Sequence, residues 1–379
     1  MRIYILSGIK GLDKSDMKTS SEKYEYEIAK SLSKFADVEI LSLKVPFGEG
    51  EEDGRLVLTG IGVPVKNKLR LGKYKKIKEI LKRGDRTEKA VFIFWGYDLQ
   101  LLIGLLFMKR KFKIMYTPFI YDHHGTAVQS VAKKWKRMIL NIYYQTGLKL
   151  VRYFDAFIFF QKSAPGELGI KKPYFVSKPG AVPGQRRLVK RSEEESFHIA
   201  FCGTLTGLNG IDVLIEAFCS AGINNAKLHI YGDGPLEKFV EEMAIQNAGI
   251  IFHGRVSEAE LRNVYANSDL LVNLRRLDDY AMKFAFPSKL FEYMETGCPV
   301  LTTRCMDTKE FEECTFVVDS LEPECVADTI KQVWMDRDCA IERAERAVRY
   351  VGENFSYDKQ AGEMFIFLQN TCKGNGMRE

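Results

Sequence analysis

The segment Phe286-Pro287-Ser288-Lys289-Leu290-Phe291-Glu292-Tyr293-Met294, followed by Gly297-Cys298-Pro299-Val300-Leu301, reads as a turn, a short helix and a buried strand. Pro287 disfavours helix at Phe286, Ser288 is a good N-cap, and Gly297 with Pro299 stops the helix before the apolar run Val300 to Thr302. Such a start leaves the amides of Lys289, Leu290 and Phe291 without intrahelical acceptors, at the end where the helix dipole favours negative charge. An anion pocket is the expectation, with Lys289 adding a cation and Glu292 one turn further on, within reach of a polar group such as a sugar diol. The same residues also suit a plain well-capped helix.

Working outward, strand-like and helical patterns alternate on both sides of this segment. Upstream the strand candidates are Arg2 to Leu6, Val38 to Leu43, Ala90 to Phe94, Phe112 to Thr117, Ala156 to Phe160 and Pro173 to Val176. Helical patterns lie at Ser21 to Phe35, Lys73 to Arg83, Asp98 to Lys109 and Ala132 to Tyr153. The polar stretch Pro183 to Ser196 reads as a linker. The alternation then restarts with strands at Phe197 to Phe201, Lys227 to Tyr231, Ile250 to Gly254 and Leu270 to Leu274, and helices at Ile211 to Ser220, Leu236 to Asn247 and Glu258 to Ala266. Two doubly wound α/β domains are therefore expected, 1–182 and 197–355, with a helical tail 356–379 crossing back toward the first domain. A cleft between the C-terminal strand ends of the two sheets is the expected ligand site.

Composition narrows the classes. The chain has 379 residues and 46% apolar content without low-complexity tracts, which suits a compact globular protein. Its densest apolar stretch, Val91 to Met108, is broken by Gly96, Asp98 and Gly104 and reads as a strand and a helix rather than a membrane span. The apolar start Met1 to Gly8 is too short for a signal peptide and reads as a first strand. All eight cysteines lie in the C-terminal half with no CxxC pair, so reduced thiols in a cytoplasmic protein are expected, with no zinc site or disulfide framework.

The net charge of +6 conceals an asymmetry: residues 1–180 hold 34 Lys+Arg against 18 Asp+Glu, and the remainder 22 against 32. One basic segment spans Arg55 to Lys89; another, Lys133-Lys134-Trp135-Lys136-Arg137-Met138-Ile139-Leu140, mixes cations with large apolar groups. Each suits either an anionic membrane surface or a solvated helix face. No nucleic-acid-binding motif accompanies the charge.

Six motifs in order, Phe201-Cys202-Gly203-Thr204-Leu205 with Asn209 to Phe218, Ile230-Tyr231-Gly232-Asp233-Gly234-Pro235, Phe252-His253-Gly254-Arg255-Val256, Ala266-Asn267-Ser268-Asp269, Pro287 to Met294, and Gly297 to Val300, carry a resemblance to the retaining glycosyltransferases of family 4. That family has the GT-B fold, two Rossmann-like domains facing across a cleft. The likeness is specific from Phe197 to Thr303 and only architectural before it. It is greatest to a branch with a Pro-Ser-Lys-Leu-Phe-Glu motif.

The resemblance implies that the C-terminal domain binds a nucleotide-sugar, most readily UDP- or GDP-linked, as substrate and not as cofactor. Gly203 lets backbone approach the diphosphate, with Thr204, Gly232 and Ser288 close by, and the amides of Leu290 and Phe291 cap it. Glu292 holds the ribose hydroxyls, and backbone at Arg255 and Val256 meets the base. The chain departs from the family at three places. Phe284 replaces a glutamate, and Thr204 and Asn209 replace two cations, leaving Lys289 as their substitute and Arg275, Arg276 and Lys283 as reserves. In the N-terminal domain the loop Tyr116 to Thr126 offers His124 for the donor sugar, with Asp122 and His123 on the acceptor side, and Gly8 and Lys10 line the opposite wall of the cleft. His198, His229 and His253 fall in strand patterns and read as structural.

The implied reaction is sugar transfer with retention to a hydroxyl of a glycan or lipid-linked acceptor in cell-surface polysaccharide synthesis. No metal is expected, since no Asp-x-Asp motif stands at a strand end and Asp278-Asp279 reads as a solvated loop. The protein would be cytoplasmic and peripheral on the inner face of the cell membrane, with no nucleic-acid partner. Two other readings stay open: a nucleotide-sugar epimerase of the same architecture, and a non-catalytic subunit that binds nucleotide-sugar or glycan.

Overall fold

The computed structural model describes residues 1–13, 17, 19–47, 49–62, 71–83, 89–95, 99–112, 114–120, 134–178, 196–276, 288–304 and 309–374. The chain divides into two compact units, 1–180 with 283–286 and 357–379, and 181–282 with 287–356. Each is an α/β unit built on a mostly or wholly parallel sheet.

Among the described residues the first unit has eight strands: β1 (Arg2–Ser7), β2 (Asp37–Pro46), β3 (Gly50–Asp53), β4 (Leu56–Gly62), β5 (Ala90–Trp95), β6 (Met115–Ile120), β7 (Phe157–Phe159) and β8 (Tyr174–Val176). Their order is β3-β4-β2-β1-β5-β6-β7-β8, and only the β3/β4 pair is antiparallel. Alternate residues of β1 explain the layering: Ile3 and Ile5 enter one apolar core, Tyr4 and Leu6 the other. Helices α1 (Ser20–Leu32) and the C-terminal helix cover the first face. Helices α2 (Leu71–Arg83), α3 (Leu99–Lys111) and α4 (Lys134–Val151) cover the second. A short helix, α5 (Ala164–Glu167), precedes β8.

α1 begins with a capping box: the Glu22 amide donates to the Thr19 hydroxyl at 3.2 Å, and the Thr19 amide donates to the Glu22 carboxylate at 3.1 Å. One turn on, Glu25 turns back under the end of β1, where its carboxylate accepts from the Ser7 and Ser21 hydroxyls and the Gly8 backbone. Burial pushes its pKa up to about 7.

Two differences from the sequence expectations have physical causes. The β3/β4 hairpin was not anticipated, because Gly50-Glu51-Glu52-Asp53 is exposed throughout and shows no apolar alternation. The strand expected at Phe112 to Thr117 begins at Met115 and runs through Pro118 to Ile120. Proline has no amide to give, and it is tolerated here because β7 pairs only from Phe119, while the Tyr116 amide donates to the Asp155 carboxylate at 2.9 Å. The elements between Lys309 and Asn354 were also unassigned. The linker at 183–195 and the loop holding Asp122, His123 and His124 lie outside the described residues.

The second unit contains β9 (Phe197–Cys202), α6 (Ile211–Ala221), β10 (Ala226–Tyr231), α7 (Glu237–Gln246), β11 (Ile250–Gly254), α8 (Glu258–Ala266), β12 (Leu270–Asn273), α9 (Ser288–Met294), β13 (Val300–Thr303), α10 (Lys309–Cys314), β14 (Phe316–Val318), α11 (Pro323–Met335) and α12 (Arg337–Asn354). All pairings are parallel, in the order β11-β10-β9-β12-β13-β14. The strand order reverses between β9 and β12, which puts the ligand-binding crevice of such a sheet at their C-terminal ends.

Three histidines cross the β9-β10-β11 half of this sheet as a stacked ladder. His198 Nδ1 lies 2.9 Å from His229 Nε2, and His229 Nδ1 lies 3.0 Å from His253 Nε2. Burial, then the neighbouring His198, His253 and Lys227, lower the pKa of His229 to about 4. The last helix, α13 (Tyr357–Gly374), returns to the first unit. There it packs on α1 through Phe35 and Phe365, with rings 5.7 Å apart, and through a 2.6 Å Lys34–Asp358 ion pair.

Glu25 and His229 give the two units opposite pH responses. Native Glu25 holds its proton between pH 4.5 and about 7 where the unfolded carboxyl loses it, so the first unit loses stability as pH rises through that window. Native His229 refuses a proton between pH 6.5 and about 4 where the unfolded ring takes one, so the second unit loses stability as pH falls. Urea unfolding is expected to show Glu25→Gln gaining on the wild type as pH rises, and His229→Phe gaining as pH falls. Parallel pH profiles for variant and wild type would contradict the assignment.

Candidate nucleotide-sugar site

The loops after β9, β10 and β11 meet along one edge of the second unit. The Gly203 amide donates to the Tyr231 carbonyl at 3.0 Å, Leu205 to Asp233 at 2.9 Å, and Gly232 to Gly254 at 2.8 Å. Gly232, at φ 135°, lies so close to Gly203 that a Cβ there would stand 1.9 Å from the Gly203 carbonyl oxygen. At Gly203 itself a Cβ would make only an ordinary 3.5 Å contact with the Phe201 ring. The fold therefore demands glycine at 232 but has no steric need for it at 203.

The loop after β12 is stitched to the loop after β9. The Arg276 amide donates to the Leu208 carbonyl at 2.9 Å, and its guanidinium donates to the Gly207 carbonyl at 2.8 Å and the Asp212 carboxylate at 3.0 Å. The Asn209 side-chain amide donates to the Thr204 carbonyl at 2.8 Å. Arg276 and Asn209 thus shape this loop. Of the other two reserve cations, Arg275 donates its amide to the Thr303 hydroxyl at 3.0 Å, and Lys283 lies outside the described residues, as do Phe284 and Asp278-Asp279.

α9 is fixed by its apolar face. Leu290, Phe291, Tyr293 and Met294 are buried, and Phe291 meets Phe355 edge-on at 4.8 Å. The Tyr293 hydroxyl accepts from the Cys202 amide at 3.2 Å and donates to the Cys202 carbonyl at 3.1 Å, joining the helix to the end of β9 just before Gly203. The helix ends at Met294, and the turn after it closes on Gly297, in the left-handed region at φ 70°.

Lys289 and Glu292 sit on the partly exposed side of α9 and pair with each other: Lys289 Nζ is 2.9 Å from Glu292 Oε2 and 3.0 Å from Oε1. Tyr265, on α8, completes a triad. Its hydroxyl donates to Glu292 Oε1 at 3.0 Å and accepts from Lys289 at 2.9 Å. Burial raises the Tyr265 and Tyr293 hydroxyls well above their ordinary range and the Cys202 thiol up to about 12, so all three stay protonated.

Gly203, Thr204, Gly232, Lys289 and Glu292 thus lie around connected strand ends and the first turn of α9, with Ser288, Leu290 and Phe291 supplying that turn's backbone. Arg255 and Val256 follow β11, where Arg255 pairs with Asp233 at 3.6 Å between exposed side chains. Gly8 and Lys10 follow β1 in the first unit. Sequence reasoning missed Tyr265 and the Tyr293 clamp. Tyr293 stood inside the quoted motif, whereas Tyr265 carries no local signal beyond an aromatic on an amphipathic helix. Among the described residues no group of three His, Cys, Asp or Glu could hold a metal ion.

This topology is that of the GT-B glycosyltransferases, two α/β domains with parallel sheets. Residues 196–336 match the family model described as Glycosyl transferases group 1. No curated protein matches the chain in sequence. Among solved structures it is similar to the sucrose-phosphate synthase of Thermosynechococcus elongatus, with a TM-score of 0.72 at 14% identity over 98% of this chain and 99% of that one. It is also similar to WaaG, a glycosyltransferase involved in lipopolysaccharide biosynthesis (TM-score 0.61, 15% identity, 96% and 99% coverage). A third is an alpha,alpha-trehalose-phosphate synthase (UDP-forming) from Burkholderia vietnamiensis (TM-score 0.67, 11% identity, 100% and 98% coverage). The family match and the shared fold support a glycosyltransferase.

The glycine analysis yields a test. Gly232→Ala is expected to destabilise the second unit by about 2–3 kcal/mol, since a backbone carbonyl must move. Gly254→Ala, at φ 64° with nothing within 4 Å, is expected to cost only about 1 kcal/mol of backbone strain. Denaturant midpoints measure both, and equal costs would remove the close-approach argument.

Proposed function

We propose that the chain is a retaining, metal-independent glycosyltransferase of the family 4 type that moves a sugar from a UDP-linked donor to a hydroxyl of a glycan or lipid-linked acceptor in cell-surface polysaccharide synthesis. The observation that carries this reading is the pair of hydrogen bonds between the Tyr293 hydroxyl and Cys202, which ties α9, with its Lys289 and Glu292, to the strand end just before Gly203 at the sheet's switch point. The choice of UDP is supported by the neighbour whose name calls it UDP-forming.

On this reading the diphosphate lies against the first turn of α9 and the Gly203 backbone, Glu292 accepts from the ribose hydroxyls, and Lys289 turns from Glu292 to the phosphates. The exchange is favourable in magnitude. Both side chains are about a third exposed, so their mutual pair contributes under about 1 kcal/mol. A charge-assisted bond from each to the nucleotide contributes about 1.5–3 kcal/mol. The leaving diphosphate helps to deprotonate the acceptor hydroxyl on the same face of the sugar, so the protein's part is to stabilise charge on the leaving group and to orient both substrates. His124, with Asp122 and His123, is the proposed holder of sugar and acceptor hydroxyls. The acceptor side is assigned to the N-terminal unit with Gly8 and Lys10, and its basic character suits an acceptor presented at an anionic membrane surface.

A second reading, a non-catalytic nucleotide-sugar-binding subunit, draws on Thr204 and Asn209, which bring no cation to the phosphates, and on Arg276, already engaged by Gly207 and Asp212. Transfer and donor-hydrolysis assays separate the two readings.

Thermal denaturation of the full chain with UDP, GDP, ADP and their sugars is expected to give the largest stabilisation with UDP and UDP-sugars. Glu292→Ala is expected to weaken that nucleotide about tenfold or more through the lost ribose contacts. An unchanged affinity would remove the ribose assignment.

A further inference from the structure

α4 is seated by its C-terminal half, where Gly147 and Val151 are buried and Tyr144 and Leu148 pack on the apolar core. Its N-terminal half is exposed. Trp135, Met138, Ile139 and Ile142 are 58%, 61%, 55% and 59% exposed, at the i, i+3, i+4, i+7 spacing that makes one stripe of a helix. Single exposed apolar residues are ordinary, but four large ones on one stripe are not. α3, which packs against α4, exposes Phe107 and Ile103 as well.

The charge around the stripe selects its partner. Lys134, Lys136 and Arg137 are exposed among the stripe residues, and neither α3 nor α4 contains a carboxylate. Over α2, α3 and α4, which cover the same face of the sheet, the sequence holds six, three and four Lys+Arg against the single acid Glu79. A two-fold contact with a second copy would set these cations against themselves, and an acidic protein would satisfy the charges but not demand an uninterrupted row of Trp, Met and Ile. A bilayer with anionic headgroups meets both needs, with apolar side chains at the acyl boundary and the long basic side chains reaching the phosphates. No described helix is long and apolar enough to cross a membrane, so the contact would be interfacial.

We infer that the N-terminal half of α4 is a docking surface for an anionic lipid bilayer, with Trp135, Met138, Ile139 and Ile142 entering the interface and Lys134, Lys136 and Arg137 engaging headgroup phosphates. The inference deepens the lipid-linked acceptor reading and rests on it for its purpose, but its test does not pass through sugar transfer.

The full chain is sedimented with vesicles of phosphatidylcholine alone and of phosphatidylcholine mixed with phosphatidylglycerol. Binding is expected to the mixed vesicles, weak to the neutral ones and reversed by high salt. The emission of Trp135, taken as the difference between wild type and Trp135→Phe, is expected to shift to the blue on binding. Lys134→Glu with Lys136→Glu and Arg137→Glu should weaken binding about a hundredfold, and Met138→Ser with Ile139→Ser about tenfold. All five positions are exposed, so melting temperatures should hold. Equal binding to both vesicle types, indifference to these substitutions, or self-association that the serine variant abolishes would each overturn the inference. If UDP still stabilises a chain that ignores vesicles, the docking surface alone fails; if vesicles bind and no nucleotide does, the transfer reading fails instead.

Discussion

The hydroxyl of Tyr293 both donates to and accepts from the backbone of Cys202, and the geometry of the candidate site depends on that clamp. It holds a seven-residue helix, too short to be stable alone, against the last residue of a central strand. The buried side chains around it provide the energy, and the hydroxyl provides the register. With α9 in that register Lys289 and Glu292 stand partly exposed on the helix whose Tyr293 grips the residue just before Gly203. Burial keeps the phenol protonated at any physiological pH, so the clamp does not titrate away.

Charge is the second constraint. On the proposed reading a diphosphate would bring at least two negative charges to a surface where residues 204 and 209 are uncharged and Arg276 is turned onto Gly207 and Asp212. What remains among the described residues of α9 is the helix start and Lys289, and Lys289 shares its proton-rich end with Glu292 and Tyr265. On the proposed reading the triad is a store of two opposite charges, each with a use when a nucleotide arrives. Tyr265 can keep its bond to Glu292 while Lys289 swings away, which leaves the carboxylate oriented for a ribose diol.

Much of this was legible in the residues. The second unit reads well because each strand end carries its own punctuation: Gly203, Gly232 and Gly254 close three strands, Ser257 caps α8, and Gly297 stops α9. α8 and β11 fall where the sequence put them. The first unit reads less well because tertiary context overrides local signals there. β4 contains Gly60 and Gly62, which suggest a turn. At Gly60 a Cβ would lie 1.9 Å from the Pro46 carbonyl, so that glycine marks a close backbone approach within a sheet. Pro118 likewise truncated a strand on paper that the Asp155 carboxylate sustains in the fold. At the site, the motif announced Lys289 and Glu292 but not their attachment to each other. An i, i+3 pair is always possible on a helix, and Tyr265, which fixes the pair, comes from a separate helix.

The most direct test of the nucleotide-site account is a structure of the full chain with UDP. The account predicts the β-phosphate within about 3 Å of the Leu290 and Phe291 amides, the Lys289–Glu292 pair opened, and the Glu292 carboxylate on the ribose hydroxyls. A nucleotide bound elsewhere, or bound with the Lys289–Glu292–Tyr265 triad intact, would contradict it.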